Sequence, residues 1–255
     1  MKKDKKRIYM LDEIRGFAII CMILHHAFLD VGDVLGFGWG YKVFNALCLV
    51  QPIFWAIFII ISGMCTRLSR NSIKRGLIVT ACGAVITLVT AVIMPMLNFE
   101  KTEIYFGILH CLGVCMVITG FLMPAINKIN YKAGAVVSAV LFFLFYGIDN
   151  KKMLFGLINL PEAMYQNNIF APFGFHNSSF FSADYFPVIP WIFLFLFGAF
   201  IGKLALDEQL PVIMYKKHSK CLCLIGKNSL WIYLAHQPVI YGIFMIMQVI
   251  ISASK

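Results

Sequence analysis

Charged residues are scarce in this chain of 255 residues: Asp, Glu, Lys and Arg make up 13% of it, about half of the roughly 25% that is typical of a soluble domain. Hydrophobic residues make up 60%. This balance excludes a disordered chain, a secreted disulfide scaffold and an ordinary soluble enzyme. The class that remains is a helical protein that crosses a membrane several times.

Several familiar signatures are also missing. The chain has no Walker loop, no GxGxxG with an acidic partner, no HExxH and no GxSxG, which argues against the chemistries that need them. Its eight cysteines form no CxxC pair, so we interpret them as small packing residues and expect no metal. It has no internal repeat of the kind that an inverted-repeat transporter shows. We expect a single domain over residues 1–255.

Seven apolar segments are long enough to span a bilayer as helices, which takes about 20 residues each. They cover residues 11–32, 44–66, 76–97, 105–124, 133–149, 186–205 and 229–250. The sequence therefore predicts an all-α, polytopic integral membrane helix bundle with about seven transmembrane helices. The longest linker, at about 150–185, is rich in Phe, Asn, Pro and Gly, and we expect it to be an outer loop over a cavity or the membrane surface.

The net charge of +10 agrees with one orientation of these helices. With a cytosolic N-terminus, five of the 22 basic residues lie outside and the other 17 lie inside, as the positive-inside rule requires. The outer five are Lys42, Lys101, Lys151, Lys152 and Lys255. We therefore interpret the charge as a topology signal and not as a sign of nucleic-acid binding. The sequence predicts a multi-pass protein of the cell membrane, surrounded by the lipid bilayer.

The first span carries several ionisable residues, which are costly in lipid and so indicate function. Arg15 and His26 are 11 residues apart, or three helical turns plus about 20°, so they share a face of the helix. Asp30 follows His26 by four residues on that face, and Asp12 precedes Arg15 by three. We interpret His26 and Asp30 as a base and the carboxylate that orients it. The adjacent His25 points about 100° away.

Other polar residues lie near the ends of later spans. His110 and Asp184 lie at outer ends, and His236 lies between the inner end and the middle of the last span. Each is either a packing residue with satisfied hydrogen bonds or part of a site. At the inner end of the second span, small residues precede a basic loop, which is either a cytosolic anchor or a phosphate-binding site: Ser62, Gly63, Arg67, Arg70, Lys74 and Arg75.

The residues around these positions resemble those of a known family. The stretch from Leu11 to His26, in which ten residues separate an Arg from a His, resembles the first span of transmembrane acyltransferases. The whole set resembles the heparan-alpha-glucosaminide N-acetyltransferase-like family of that superfamily. It consists of five motifs in the expected order: His26 with Asp30, Phe58 to Gly63 (FIIISG), Tyr105 to Gly113 (YFGILHCLG), Asp184 to Trp191 (DYFPVIPW) and Gly226 to Pro238 (GKNSLWIYLAHQP).

The resemblance implies a membrane-bound acetyltransferase that passes an acetyl group from cytosolic acetyl-CoA, its co-substrate, to the amine or hydroxyl of a sugar or glycan at the outer face. It implies that His26 is catalytic, as general base or as acetyl relay, and Asp30 is assigned with it. Coenzyme binding is assigned to Arg15, Asp12, Ser62, Gly63, Arg67, Arg70, Lys74, Asn228 and Ser229. Acceptor binding is assigned to His110, Asp184, Trp191, His236 and Gln237.

Two other functions fit the same residues. A transporter or flippase for a lipid-linked sugar or a small anion would use the polar stripe of the first span as its path, and paired broken helices would reveal it. A non-enzymatic membrane subunit would use the polar residues for helix contacts alone, so that His26→Ala would lower stability and not turnover. The sequence leaves open which acceptor is used and whether the chain forms a homodimer.

Overall fold

The computed structural model describes residues 6–99 and 101–253, which are mostly helical. The α-helices of this part of the chain are α1 (Tyr9–Asp33), α2 (Gly38–Cys48), α3 (Gln51–Leu68), α4 (Ser72–Leu88), α5 (Ile108–Ile126), α6 (Tyr131–Phe145), α7 (Val188–Leu206), α8 (Lys220–Lys227) and α9 (Ser229–Ala253). Helix α4 continues through a π-helical turn, Val89–Ile93, into Met94–Met96. Two short antiparallel strands, β1 (Lys152–Met153) and β2 (Ile158–Asn159), form a hairpin.

Seven of the helices within residues 6–99 and 101–253 are long and apolar enough to cross a membrane: α1, α3, α4 extended to Met96, α5, α6 extended to Asn150, α7 and α9. The prediction of an all-α polytopic bundle is confirmed, and the protein is a multi-pass membrane protein. The cytosolic placement of the N-terminus stays a prediction. Four of the lysines in that argument lie outside the described residues: Lys2, Lys3, Lys5 and Lys255.

The second span begins later than the sequence predicted. We expected its start at residue 44, whereas α2 ends at Cys48 and α3 begins at Gln51. Pro52, the second residue of α3, has no N–H to donate, which suits the first turn of a helix and not its interior. The residues on both sides of this break are apolar, so hydropathy alone does not separate the two helices.

The first of two compact units consists of Met1–Phe58 and Leu210–Lys255. In its described part, α1 packs against α2, α8 and α9. The backbones of α1 and α8 approach closely: a Cβ at Gly16 would overlap the carbonyl of Leu222, and one at Gly226 would overlap a carbonyl of α1. Gly226 opens the last of the five sequence motifs, and packing requires glycine there.

The second unit, Ile59–Gln209, holds the end of α3 with α4, α5, α6 and α7. Here α4 packs on α5, and α7 packs on both α5 and α6. The end of α3 contacts α7 through two glycines: a Cβ at Gly63 would overlap the carbonyl of Phe195, and one at Gly198 would overlap that of Ile60. Small residues allow helices in membranes to approach in this way. The glycine of the FIIISG motif therefore has a packing explanation.

The predicted loop at about 150–185 consists of short 3-10 turns and the β1–β2 hairpin. Two tyrosines, the buried Tyr165 and the half-buried Tyr185, hold it together: the hydroxyl of Tyr165 donates to the carbonyl of Ile148 at 2.5 Å, and that of Tyr185 donates to the carbonyl of Ala171 at 2.7 Å. Burial raises the pKa of Tyr165 to about 12, so this phenol keeps its proton for donation at neutral pH. The outer placement of the loop and the single-domain assignment stay predictions.

Candidate active site

Four polar side chains of the first unit meet on α1 and α9. The ring of His26 on α1 lies 5.2 Å from that of His236 on α9, measured between ring centres. One turn further along α1, Asp30 accepts hydrogen bonds from Gln237 Nε2 at 3.1 and 3.3 Å. Asp30 is 4% exposed and His236 is 9% exposed. The structure thus brings the predicted catalytic pair together with two residues predicted to bind the acceptor.

His26 is half-buried and lies between two other imidazoles. The ring of His25 lies 5.7 Å from it and nearly perpendicular, at 85°, and the ring of His236 lies on α9 as described. Within the described residues, no hydrogen bond joins His26 to Asp30. The carboxylate of Asp30 therefore orients the amide of Gln237 in this structure.

Two buried atoms beside this cluster, His236 Nε2 and Gln237 Oε1, have no hydrogen-bond partner in the part of the chain that the structure describes. A buried polar atom that is left unpaired costs about 1–3 kcal/mol. Such atoms are rare in native proteins and call for an explanation. One of the two belongs to the His236 ring, whose centre lies 5.2 Å from that of His26.

The adjacent His25 is a packing residue. It is 6% exposed and its ring centre lies 4.4 Å from that of Phe44. Its Nδ1 lies 3.3 Å from Gln51 Nε2, and its Nε2 lies 3.4 Å from Cys48 Sγ. Because an amide nitrogen only donates, Nδ1 accepts from Gln51 and Nε2 carries the hydrogen that faces the sulfur. Both nitrogens are engaged, so His25 is not available as a base.

The N-terminal part of α1 carries an ionic cluster. Asp12 lies 3.5 Å from Arg15 Nη1 and 2.6 Å from Arg7 Nη2. Asp12 and Arg15, both predicted to bind the coenzyme, are therefore neighbours, and two arginines share one carboxylate. In the same unit, Asn228 follows α8 and its amide donates to the carbonyl four residues earlier at 2.9 Å. Ser229 is buried at the start of α9.

Sequence reasoning assigned no role to Glu13, which lies in a dense set of hydrogen bonds. It is 7% exposed and accepts from the backbone N–H groups of His218 at 2.7 Å and Ser219 at 2.9 Å. His218 Nδ1 lies 3.1 Å away and Cys223 Sγ lies 3.4 Å away. These contacts fix the start of α8 against α1. A carboxylate in an apolar span is itself a signal that could have identified this residue.

In the second unit, His110 and Asp184 meet at the start of α5. Asp184 accepts from the N–H of Ile108 at 3.1 Å, and His110 Nδ1 accepts from the N–H of Gly107 at 3.3 Å. His110 Nε2 lies 3.4 Å from the hydroxyl of Thr87, whose hydrogen goes to a backbone carbonyl at 2.7 Å. The hydroxyl therefore accepts from Nε2–H, so both nitrogens are satisfied. Both residues cap α5, and their acceptor role stays a prediction.

Trp191 lies in an aromatic cluster of the second unit. It is 9% exposed, and its ring centre lies 5.5 Å from that of Phe142 and 5.4 Å from that of Phe186. These neighbours cover the indole. Stacking of Trp191 on a sugar, as assigned from the sequence, would need them to move.

A cavity of about 310 Å³ lies in the second unit, where α3 ends and α4 begins. Its lining consists of two arginines and mostly small or polar residues: Thr66, Arg67, Ser69, Arg70, Asn71, Ser72, Ile73, Gly120, Met123, Asn127 and Leu206. Arg67 already has partners, since Nε donates to the carbonyl of Ala199 and Nη1 donates to Asn127 Oδ1, both at 2.6 Å. Arg70 is exposed, and no ion pair engages it within the described chain. Lys74 donates its backbone N–H to a side chain that caps α4, at 2.8 Å.

The predicted coenzyme residues thus belong to two groups. One group, in the first unit, consists of Asp12, Arg15, Asn228 and Ser229. The other, in the second unit, consists of Ser62, Gly63, Arg67, Arg70 and Lys74. Within the second group, Ser62 and Gly63 are buried in α3, whereas Arg67 and Arg70 line the cavity.

The family model described as heparan-alpha-glucosaminide N-acetyltransferase, catalytic, matches residues 7–238 of the chain. The chain belongs to this family. The match runs from just before α1 to Pro238 on α9, so it includes both helices of the His26–His236 cluster. The resemblance noted in the sequence is confirmed, and the protein is a membrane acyltransferase of this acetyltransferase family.

A comparison with curated proteins and one with solved structures gave no match. Across residues 6–99 and 101–253, no three side chains of His, Cys, Asp or Glu form a group that could hold a metal ion. The expectation that this acetyltransferase needs no metal stays a prediction.

Proposed function

We propose that the protein transfers an acetyl group from acetyl-CoA to an amine or hydroxyl of a sugar, and that the transfer takes place at His26. The observation that carries this proposal is the cluster of the buried Asp30 and His236 with the half-buried His26 and Gln237 in an acetyltransferase of this family. Ionisable groups inside a membrane are costly and are retained where they serve a function. Two of the four buried side-chain polar atoms that have no partner among the described residues belong to this cluster, and both can accept a hydrogen bond from a substrate.

The donor is proposed from charge and from the family, whose acetyltransferases use acetyl-CoA as co-substrate. Coenzyme A is anionic, so its phosphates would be drawn to the basic residues on the side predicted to be cytosolic. In the first unit the candidate is Arg15, which precedes His26 by about 16 Å along α1. In the second unit the candidates are Arg67 and Arg70, because both line the cavity.

Two routes are open at His26. As general base, His26 takes the proton of the acceptor while the acceptor attacks the thioester carbonyl; the C–S bond breaks and the coenzyme leaves as its thiol after it gains a proton. As relay, a nitrogen of His26 attacks the thioester carbonyl first, the C–S bond breaks, and the coenzyme leaves as a thiolate that takes up a proton. The acceptor then attacks the acetyl carbon of the acetyl-imidazole and gives its proton to a base, while the C–N bond breaks and the imidazole of His26 is released.

The acceptor is proposed to bind on the His236–Gln237 side of the cluster. Both residues carry an unpaired buried atom that can accept a hydrogen bond. His110, Asp184 and Trp191 are weaker candidates, because their side chains cap α5 or pack among aromatic rings.

The test uses the purified full chain in lipid nanodiscs, acetyl-CoA with a labelled acetyl group, and D-glucosamine as the acceptor probe. We expect labelled sugar from the wild type and none above background from His26→Ala. Label that accumulates on the protein without acceptor, and leaves when acceptor is added, assigns the relay route. Its absence from an active enzyme assigns the general-base route.

Two results would refute this function. One is a folded wild type that makes no acetylated sugar and whose unfolding temperature does not respond to acetyl-CoA. The other is equal turnover in His26→Ala and the wild type. Sugar that crosses a proteoliposome membrane without being acetylated would favour the transporter alternative.

A further inference from the structure

The protonation of His236 can be assigned from its contacts. Its Nδ1 lies 2.5 Å from the backbone carbonyl oxygen of Tyr233. A carbonyl oxygen only accepts hydrogen bonds, so Nδ1 carries the hydrogen, and the neutral ring has its lone pair on Nε2. This Nε2 atom is the buried one that has no partner among the described residues. His236 therefore presents an unoccupied base nitrogen beside His26.

The donor and acceptor atoms of the neighbouring Gln237 side-chain amide can be assigned in the same way. Gln237 Nε2 donates to both carboxylate oxygens of Asp30, at 3.1 and 3.3 Å. Its Oε1 atom can therefore only accept, and it too is buried without a partner in the described chain. The cluster thus contains two unpaired hydrogen-bond acceptors, which match a group that brings its own N–H or O–H.

A second buried histidine, His110, has the hydrogen bonds expected of a packing residue and serves as a comparison. His110 is also 9% exposed, yet its Nδ1 accepts from Gly107 N–H and its Nε2 donates to Thr87. Both of its nitrogens are satisfied within the protein. His236 is as deeply buried but has only one nitrogen satisfied, and the other adjoins the proposed site of acetyl transfer.

We infer that His236 is a second catalytic histidine, whose Nε2 takes the proton from the attacking N–H or O–H of the acceptor; this assignment rests on the acetyl transfer proposed above. The nitrogen or oxygen of the acceptor forms a bond to the acetyl carbon, and the bond between that carbon and its carrier breaks. The carrier is a nitrogen of His26, as in the relay route proposed above. The proton moves from the acceptor to His236 Nε2, and the leaving nitrogen of His26 keeps the electron pair of the broken bond. Gln237 Oε1 accepts a hydrogen bond from the same acceptor and positions it.

The experiment is chemical rescue of His236→Ala in the full chain, with acetyl-CoA and D-glucosamine. The variant leaves a space the size of the removed ring, which either imidazole or pyrazole can fill. The two molecules have the same shape, but pyrazole is a far weaker base. The readout is acetylated glucosamine, because coenzyme release alone would also report acetylation of the added imidazole.

We expect His236→Ala to lose roughly 100-fold or more in turnover, the range that general-base catalysis supplies. Imidazole should restore at least a tenth of the wild-type rate, and pyrazole should restore none. His218→Ala, which removes an imidazole elsewhere in the same unit, is the matched control and should show neither a large loss nor a rescue. If His236→Ala does not fold, His236→Asn keeps a donor for the Tyr233 carbonyl and should lose turnover while acetyl-CoA still raises its unfolding temperature.

Three results would overturn the assignment while leaving the proposed function in place. They are rescue by pyrazole as good as that by imidazole, failure of imidazole to rescue a folded His236→Ala, and turnover of either His236 variant within about threefold of the wild type. A wild type that makes no acetylated glucosamine would instead overturn both proposals.

Discussion

Adjacent histidines of α1 provide a sharp test of the site. We expect His25→Ala to lower stability while folded molecules keep acetyl transfer, and His26→Ala to abolish transfer with a smaller effect on stability. The reason is that His25 has both nitrogens engaged, by Cys48 and Gln51, and its ring packs against that of Phe44 at an angle of 40°. Among the described contacts, His26 makes ring contacts with two other histidines.

The size of each effect follows from these contacts. A polar contact between helices in a membrane contributes about 0.6 kcal/mol on average, and a stacked ring pair contributes about 0.5–1.5 kcal/mol. His25→Ala therefore costs about 2–3 kcal/mol, which at about 2–4 °C per kcal/mol lowers the unfolding temperature by roughly 4–12 °C. His26→Ala removes two ring contacts and no hydrogen bond among the described residues, so it should lower the unfolding temperature by less than His25→Ala does, while turnover falls by roughly 100-fold or more.

The assay measures thermal unfolding and labelled acetyl transfer on the same preparations, with activity expressed per folded molecule. His26→Gln serves as a second variant, because it keeps size and polarity but cannot act as a base or carry the acetyl group. Equal loss of transfer in folded His25→Ala and His26→Ala would refute the division of roles. So would a larger loss of stability at His26 than at His25.

Three further changes test other parts of the molecule. Glu13→Ala leaves two part-buried backbone N–H groups without their acceptor, at about 1 kcal/mol for each lost hydrogen bond; thermal unfolding close to that of the wild type would show that this cluster is dispensable. Arg70→Ala should weaken acetyl-CoA binding about tenfold, or about 1.4 kcal/mol, with stability unchanged, whereas Arg67→Ala should lower stability as well. Titration calorimetry measures the binding and thermal unfolding measures the stability. Unchanged binding in Arg70→Ala would exclude the cavity as the coenzyme site. Asp184→Ala removes a cap of α5 and should cost about 0.5–2 kcal/mol; a raised KM for glucosamine at unchanged stability would instead support its predicted acceptor role.

Helical periodicity was enough to predict the first span and the relative positions of its polar residues along it. Arg15, His26 and Asp30 lie on one helix, so their spacing alone gives their relative positions. The motif at 226–238 also indicated that His236 and Gln237 belong to a site. What periodicity cannot give is which residues of α9 meet which residues of α1, because that depends on packing between segments more than 200 residues apart.

Packing between distant segments also explains why some residues were assigned a different role from the sequence and why another was missed. His110 and Asp184 were assigned to the acceptor because both are polar and close to span ends, but their contacts are with the backbone at the start of α5. The contact of Asp184 joins segments 76 residues apart, so no local pattern reveals it, whereas His110 contacts a backbone N–H three residues away. Glu13 could have been noticed as a carboxylate in an apolar span, but its partners, the backbone N–H groups at 218 and 219, have no signature in the sequence.

Three buried histidines look alike in the sequence but differ in the hydrogen bonds that their ring nitrogens make. His25 and His110 each have both nitrogens engaged within the protein, so neither can take a proton without breaking a contact that holds the fold. His236 has one nitrogen engaged, and its other nitrogen lies unpaired beside His26. Binding a donor there would recover the cost of about 1–3 kcal/mol that the unpaired atom imposes on the free protein. In the reaction proposed above, the acceptor would therefore also be the group that completes the hydrogen bonding of the cluster, which would link recognition of the acceptor to removal of its proton.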